Sequence, residues 1–396
     1  MPLNINQQKW DPFVVQRLNT VIQESASDLD TDRPDTEYAV FDFDNTTIMH
    51  DIEDHLMMYM IDHLAYKMTP DEFYEVLTNG PMNFNQSIFP NSQNRATYLD
   101  LADDIIAQYQ VLYTDHIALD ESERLPLDQV KELTQFDEFA AKLRLFYQKV
   151  GSKFQRTPGE NSPIYWFKGY TVDEFKALST AVFEDALAKP IALRRLFSSP
   201  HIKSKVGKVE ATIQQGIRIP DEILHLWQAL RDNNITIYII TASPIDLVRS
   251  IVTKSPFNLD ASQVFGQCYE VDQEGVMDSR LEAGTYITKG LGKVEVIKNF
   301  MVETHGKEPA MVFGDSMGDY PMMTQLPFVK LSVLFNRYAN DQTQQLVVKG
   351  INMYRQEDAN LVVQGRDENK GTLRPSMATI PLGHLEPVLQ AGELYL

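Results

Sequence analysis

The chain has one cysteine, Cys268, so no intrachain disulfide can form. Its 396 residues must therefore be held by a buried core, and a chain of that length can build a large one in two lobes. A single thiol suits a reducing compartment. No apolar run is long enough to span a bilayer. The opening, Met1-Pro2-Leu3-Asn4-Ile5-Asn6-Gln7-Gln8-Lys9-Trp10, has no basic end followed by an apolar stretch. No secretory signal is expected there, and a cytoplasmic location is the expectation. Basic residues are scarce: 36 Lys and Arg stand against 55 Asp and Glu, a formal net charge of −19. Nucleic acid and anionic membrane are bound by basic surfaces, so neither is an expected partner. A small anionic substrate is still compatible, because a bound divalent cation inverts the local field. Internal repeats and low-complexity tracts are absent.

What is present begins with Tyr38-Ala39-Val40-Phe41-Asp42-Phe43-Asp44-Asn45-Thr46-Thr47. The apolar run predicts a buried strand over 38–43. Before it, spacing of Phe13, Val14, Leu18, Val21 and Ile22 predicts a helix over 11–26, and Asp28–Asp35 reads as an acidic linker. Residues 57–215 read as mostly helical. Thr69-Pro70-Asp71-Glu72 and Thr171-Val172-Asp173-Glu174 are capping boxes, and 97–113, 127–148 and 172–188 carry helical apolar spacing. After Gly216 helices and strands alternate. Strands are expected at Ile235–Ile240, Ala310–Phe313 and Phe328–Leu334, a strand and hairpin from Val264 onward, and helices at Asp221–Arg231 and Lys293–Val302. Leu361–Gln364 is a candidate edge strand, and Gly365–Pro375 reads as a polar loop. The expected architecture is α/β: a doubly wound, parallel, Rossmann-like sheet with a large helical cap inserted after the first strand. Residues 1–56 and 216–345 form the core, 57–215 the cap, and 346–396 an extension packed on the core.

Charged residues at the ends of core strands are out of place unless something compensates them. Asp42 and Asp44 follow the first strand, Thr241 follows Ile235–Ile240, and Gly314-Asp315-Ser316-Met317-Gly318-Asp319 follows Ala310–Phe313. In a parallel sheet these ends share one edge, where ligands bind. Lys293 opens the preceding helix and would join them. Each has a plainer reading as well. The Asp pair and Asp315/Asp319 could be turn residues, Thr241 could cap the next helix, and Lys289 competes with Lys293.

Together, Asp42-Phe43-Asp44-Asn45-Thr46, Thr241, Lys293 and Gly314-Asp315-Ser316-Met317-Gly318-Asp319 resemble the four motifs of the haloacid dehalogenase superfamily, in its phosphoserine-phosphatase-like branch. The resemblance covers roughly 37–56 and 216–335. It implies Asp42 as nucleophile and Asp44 as general acid and base. It also implies a Mg²⁺ cofactor on Asp42, the Asp44 carbonyl and Asp315, supported by Asp319, with Thr241 and Lys293 binding phosphate. The expected reaction is hydrolysis of a small phosphomonoester through an aspartyl-phosphate. The alternatives are a phosphotransferase or mutase of the same fold, and a non-catalytic phospho-ligand binder. The stretch through Asp51-Ile52-Glu53 also resembles bacterial phosphorylcholine phosphatases. Asp51 and Glu53 are therefore candidates to meet a cationic amine, with Trp166, in Ile164-Tyr165-Trp166-Phe167, a candidate cation–π face. The acidic run also suits a helix start, and the aromatics also suit a cap core.

Overall fold

The computed structural model describes residues 9–26, 36–120, 122–151 and 154–389. The linker expected at Asp28–Asp35 lies outside the described residues. The strands, in chain order, are β1 (Tyr38–Phe41), β2 (Ala192–Phe197), β3 (Glu210–Gln215), β4 (Thr236–Pro244), β5 (Val264–Gln267), β6 (Tyr269–Val271), β7 (Met277–Leu281), β8 (Met311–Gly314), β9 (Leu331–Phe335), β10 (Leu361–Gln364), β11 (Arg366–Asp367) and β12 (Thr372–Leu373). Six of them form one sheet in the order β10-β9-β8-β1-β4-β5, every neighbouring pair parallel. Parallel strands are covered on both faces, which is why the short apolar runs here are continuous rather than alternating. All four residues of β1 are buried, and Phe41 stacks on Phe313 of β8 at 4.0 Å between ring centroids. The expected α/β architecture is present, and the Leu361–Gln364 run is its edge strand.

Between β1 and β4 the chain makes the insertion. Its main helices are Ile52–His63, Pro70–Thr78, Tyr98–Leu112, Thr134–Gly151 and Val172–Ala188. Both expected capping boxes form, Thr69 with Glu72 and Thr171 with Glu174. The insertion is mostly helical, as expected, and also contains β2 and β3 paired as an antiparallel hairpin. Nine of the twelve hairpin residues are partly or fully exposed, so no strong apolar alternation marked them. The 127–148 pattern also divides into Leu127–Val130 and Thr134–Gly151. One contact braces the insertion internally and a second set ties it to the chain beyond. Arg144 donates both terminal nitrogens to Asp54 at 2.7 and 3.0 Å. The β6–β7 hairpin also receives Ser162 N–H on the Ser279 carbonyl and Gly169 N–H on the Met277 carbonyl.

Candidate active site

β1 ends at Phe41, and Asp42 continues it by donating its N–H to the Phe313 carbonyl at 3.0 Å. The chain then folds back tightly. The N–H groups of Thr47 and Ile48 both donate to the Phe43 carbonyl, and the Thr47 hydroxyl donates to the Asp42 carbonyl at 2.6 Å. Asn45 takes a left-handed φ of 60° and His50 one of 76°. This turn separates the two aspartates. Asp42 points to the sheet edge. Asp44 accepts the N–H of Ile52 on Oδ1 and the Ser243 hydroxyl on Oδ2, both at 2.7 Å.

β8 ends at Gly314, and the next turn brings Asp315 and Asp319 against Asp42. Side-chain oxygens of the three lie within 4.8 Å of one another, and all three residues are buried. Gly314 is required by close approach, since a Cβ there would sit 2.4 Å from Cβ of Asp319. Asp319 Oδ2 accepts the N–H groups of Asp315 and Ser316 and the Ser316 hydroxyl. Asp315 accepts Thr46 Oγ1 at 3.2 Å and Arg337 Nη1 at 3.0 Å. Lys293 is 1% exposed and donates to Asp42 Oδ1 at 2.6 Å and Asp319 Oδ1 at 2.7 Å. Lys289 lies on the cavity wall but makes neither contact.

The electrostatics follow from this crowding. Burial, and then the Asp319 charge, push the Asp42 carboxyl well above its usual range, against the pull of Lys293. Burial, and then Asp51, push Asp44 up as well, which favours its protonated form. Burial alone would lower the Lys293 ammonium, but Asp319 and Asp42 outweigh it and hold the charge. Three clustered carboxylates on hard oxygen donors fit a divalent cation such as Mg²⁺. Lys293 and Arg337 offset part of this buried charge.

The group opens on a cavity of about 1190 Å³ lined by the sheet edge and the insertion. Asp51, Glu53 and Asp54 line it together with Arg144, Tyr147, Phe154, Arg156 and Ile164. Glu53 is already matched by Tyr147 Oη at 3.1 Å and Arg156 Nη2 at 3.3 Å. Asp51 caps the helix Ile52–His63 by accepting Asp54 N–H. Burial, and then the charges of Asp54 and Glu53, push its carboxyl up to about 7.

Two expected site residues are placed differently. Trp166 is not on the cavity. It is 0% exposed, donates its indole N–H to the Pro163 carbonyl, and packs edge-on against Phe73 and Tyr147. Its ring is satisfied within the insertion's core. Thr241 lies within β4, three residues before its end, and is fully buried, its hydroxyl accepting Ser243 N–H at 3.1 Å. Ala242 and Ser243 line the cavity instead. Two residues went unread in the sequence. Arg337 follows β9 by two positions and Arg366 follows β10 by two, so both stand at strand ends on the same edge. The rule that exposed Asp42 and Asp315 applies to them equally.

Fold and site define a capped α/β protein with an aspartate cluster at its strand ends. A model of haloacid dehalogenase-like hydrolases matches residues 137–324, which include Thr241, Lys293, Asp315 and Asp319 but not Asp42 or Asp44. A conserved, functionally unknown protein from Anaerococcus prevotii DSM 20548 has the same structure over 94% of this chain and 97% of its own, at TM-score 0.81 and 27% identity. Two partial likenesses carry no weight for function. A phosphoserine phosphohydrolase-like protein from Francisella tularensis overlaps 81% of this chain and 94% of its own at TM-score 0.36 and 12% identity. A substrate-bound phosphoserine phosphatase overlaps 76% and 85% at TM-score 0.33 and 10% identity. No curated protein sequence matches the chain. The family match thus rests on residues 137–324, just under half of the chain.

Proposed function

We propose that the chain is a divalent-cation-dependent phosphomonoesterase working through an aspartyl-phosphate. One observation carries this reading. Asp42 meets Lys293, Asp315 and Asp319, while Asp44, two residues away, is held apart by Ile52 and Ser243 at the mouth of the same cavity. A carboxylate of Asp42 attacks phosphorus, and the bond to the leaving oxygen breaks as Asp44 delivers its proton to that oxygen. Asp44 then takes a proton from water as the water attacks the phosphoryl group. Inorganic phosphate leaves and the Asp42 carboxylate is restored. Lys293 holds positive charge beside the phosphoryl oxygens throughout. Asp42, Asp315 and Asp319 would hold Mg²⁺, which would supply charge neutralisation at the transferring group.

An amine-bearing ester such as phosphocholine or phosphoserine is supported by the wall next to Asp44. Glu53 and Asp54 have cationic partners, whereas no lysine or arginine among the described residues forms an ion pair with Asp51. The cavity volume favours a second reading, a larger phosphomonoester such as a sugar phosphate or nucleotide, since about 300–1,000 Å³ already suits a drug-sized ligand. The test is Mg²⁺-dependent hydrolysis of p-nitrophenyl phosphate, phosphocholine, phosphoethanolamine, phosphoserine, sugar phosphates and nucleotides. Turnover of at least one by the native chain, with none by Asp42→Asn, is expected. No turnover of any, or retained activity in Asp42→Asn, would overturn the proposal.

A further inference from the structure

The segment after the edge strand returns across the sheet to the turn that separates Asp42 from Asp44. β10 is the outermost strand and β1 lies three strands away. Arg366, two residues past β10, nevertheless reaches the β1 turn. It is 1% exposed. Nη1 donates to the Asn45 carbonyl at 2.7 Å, and Nη2 to Asn45 Oδ1 at 3.1 Å. Glu368 holds the guanidinium from behind, accepting Nη2 at 2.6 Å and Nε at 3.0 Å.

The same segment grips the far end of the turn. His50 Nε2 meets the Glu368 carbonyl at 3.1 Å, and Gln214 contacts the other side of the ring. Burial, and then the Arg366 charge, push His50 down to about 3, so the imidazole is neutral. Facing a carbonyl, its Nε2 must carry the proton. Both gripped residues, Asn45 and His50, are left-handed, and Asn45 N–H donates to the His50 carbonyl at 3.0 Å. Left-handed non-glycine residues persist only where their surroundings over-determine them. Here the surroundings are residues 366–368.

We propose that Arg366 is a positioning residue for proton transfer: it fixes the Asn45 peptide, and through it the side chain of Asp44. The proposal rests on the phosphatase reading above. Asn45 directly follows Asp44, so rotation of its peptide swings the carboxyl off Ile52 N–H and Ser243. Misplacement of a reacting group by about 1 Å can cost on the order of 10²-fold.

The test compares alkyl and p-nitrophenyl phosphate in the full chain. Arg366→Met should lower kcat/KM for the alkyl ester about 10–10²-fold. Loss on p-nitrophenyl phosphate, whose leaving group needs no proton, should be at least several-fold smaller, and KM should move little. In an Asp44→Asn background the same change should cost almost nothing further. Asn45→Gly accepts the left-handed turn without strain but loses the Oδ1 contact. It should show the same pattern more weakly, and it serves if Arg366→Met does not fold. Equal losses on both esters, or full additivity with Asp44→Asn, would reduce Arg366 to a structural residue and overturn the proposal. An active native chain with unaffected variants overturns this proposal alone. A native chain inert on every ester overturns the phosphatase reading and this with it.

Discussion

Replacing Asp44 by asparagine separates its chemistry from its role in the fold. The two hydrogen bonds at Asp44 survive the change. The amide oxygen still accepts Ile52 N–H, and the amide NH₂ faces Ser243 Oγ, a hydroxyl that accepts as readily as it donates. What is lost is the proton. General acid catalysis contributes about 10²–10⁴-fold, or about 2.7–5.4 kcal/mol of barrier. The value of kcat/KM reports events up to the first committed step, here formation of phosphorylated Asp42. An alkyl phosphomonoester should lose the full factor, and p-nitrophenyl phosphate much less. Hydrolysis of the intermediate also needs Asp44, so the variant should accumulate protein heavier by one phosphoryl group, visible by intact mass after rapid quench. Its unfolding free energy should change by less than about 1 kcal/mol, within the range of conservative substitutions. Equal losses on the two esters, or a large drop in stability, would refute the assignment of Asp44 as the acid.

Stability should fall as pH rises from about 4 to 7 on account of Asp51. Its folded carboxyl, held at about 7, keeps a proton that the unfolded chain releases near the ordinary value of 3.8. Asp51→Asn keeps the helix cap and should remove this decline. Because the side chain is partly exposed, the gain above pH 7 should be on the order of 1–2 kcal/mol. Chemical denaturation at pH 5 and 8 would show it, and an unchanged pH slope would contradict the account. Lys142 is 0% exposed between Asp104 at 2.7 Å and Glu138 at 2.5 Å. Lys142→Met strands both acids and should cost about 3–5 kcal/mol with kcat unchanged. Gly314→Ala should cost about 1–3 kcal/mol by overpacking and displace Asp319, seen as lost activity. A chelator should abolish turnover. Added Mg²⁺ at a hundredfold above its Kd should stabilise the folded chain by about 2.7 kcal/mol, a gain that Asp315→Asn should remove.

Asp42, Asp44, Asp315 and Asp319 were legible because each breaks an apolar run at a strand end. Parallel pairing then guarantees that those ends meet, which is why motifs separated by up to 277 positions in numbering lie within one oxygen-to-oxygen contact shell. Capping boxes at Thr69 and Thr171 were legible because their hydrogen bonds are local. The β2–β3 hairpin was not, since its strands are only partly covered and a twelve-residue connection, 198–209, separates them. Nor was the burial of Trp166. An aromatic cluster looks the same in sequence whether it faces a ligand or a core, and only the packing of Phe73 and Tyr147 around the indole distinguishes the two.

By itself the sequence determined the parallel sheet, the insertion point and the aspartates at its strand ends, because period, punctuation and charge at strand ends are properties of short stretches. Tertiary structure alone decided which neighbours those aspartates have. It placed Lys293 rather than Lys289 between Asp42 and Asp319, matched Glu53 and Asp54 with Arg156 and Arg144, and brought Arg366 back to Asn45 from the outermost strand, three strands away. These pairings join residues distant in the chain, and no local pattern encodes a distance that the folded backbone sets.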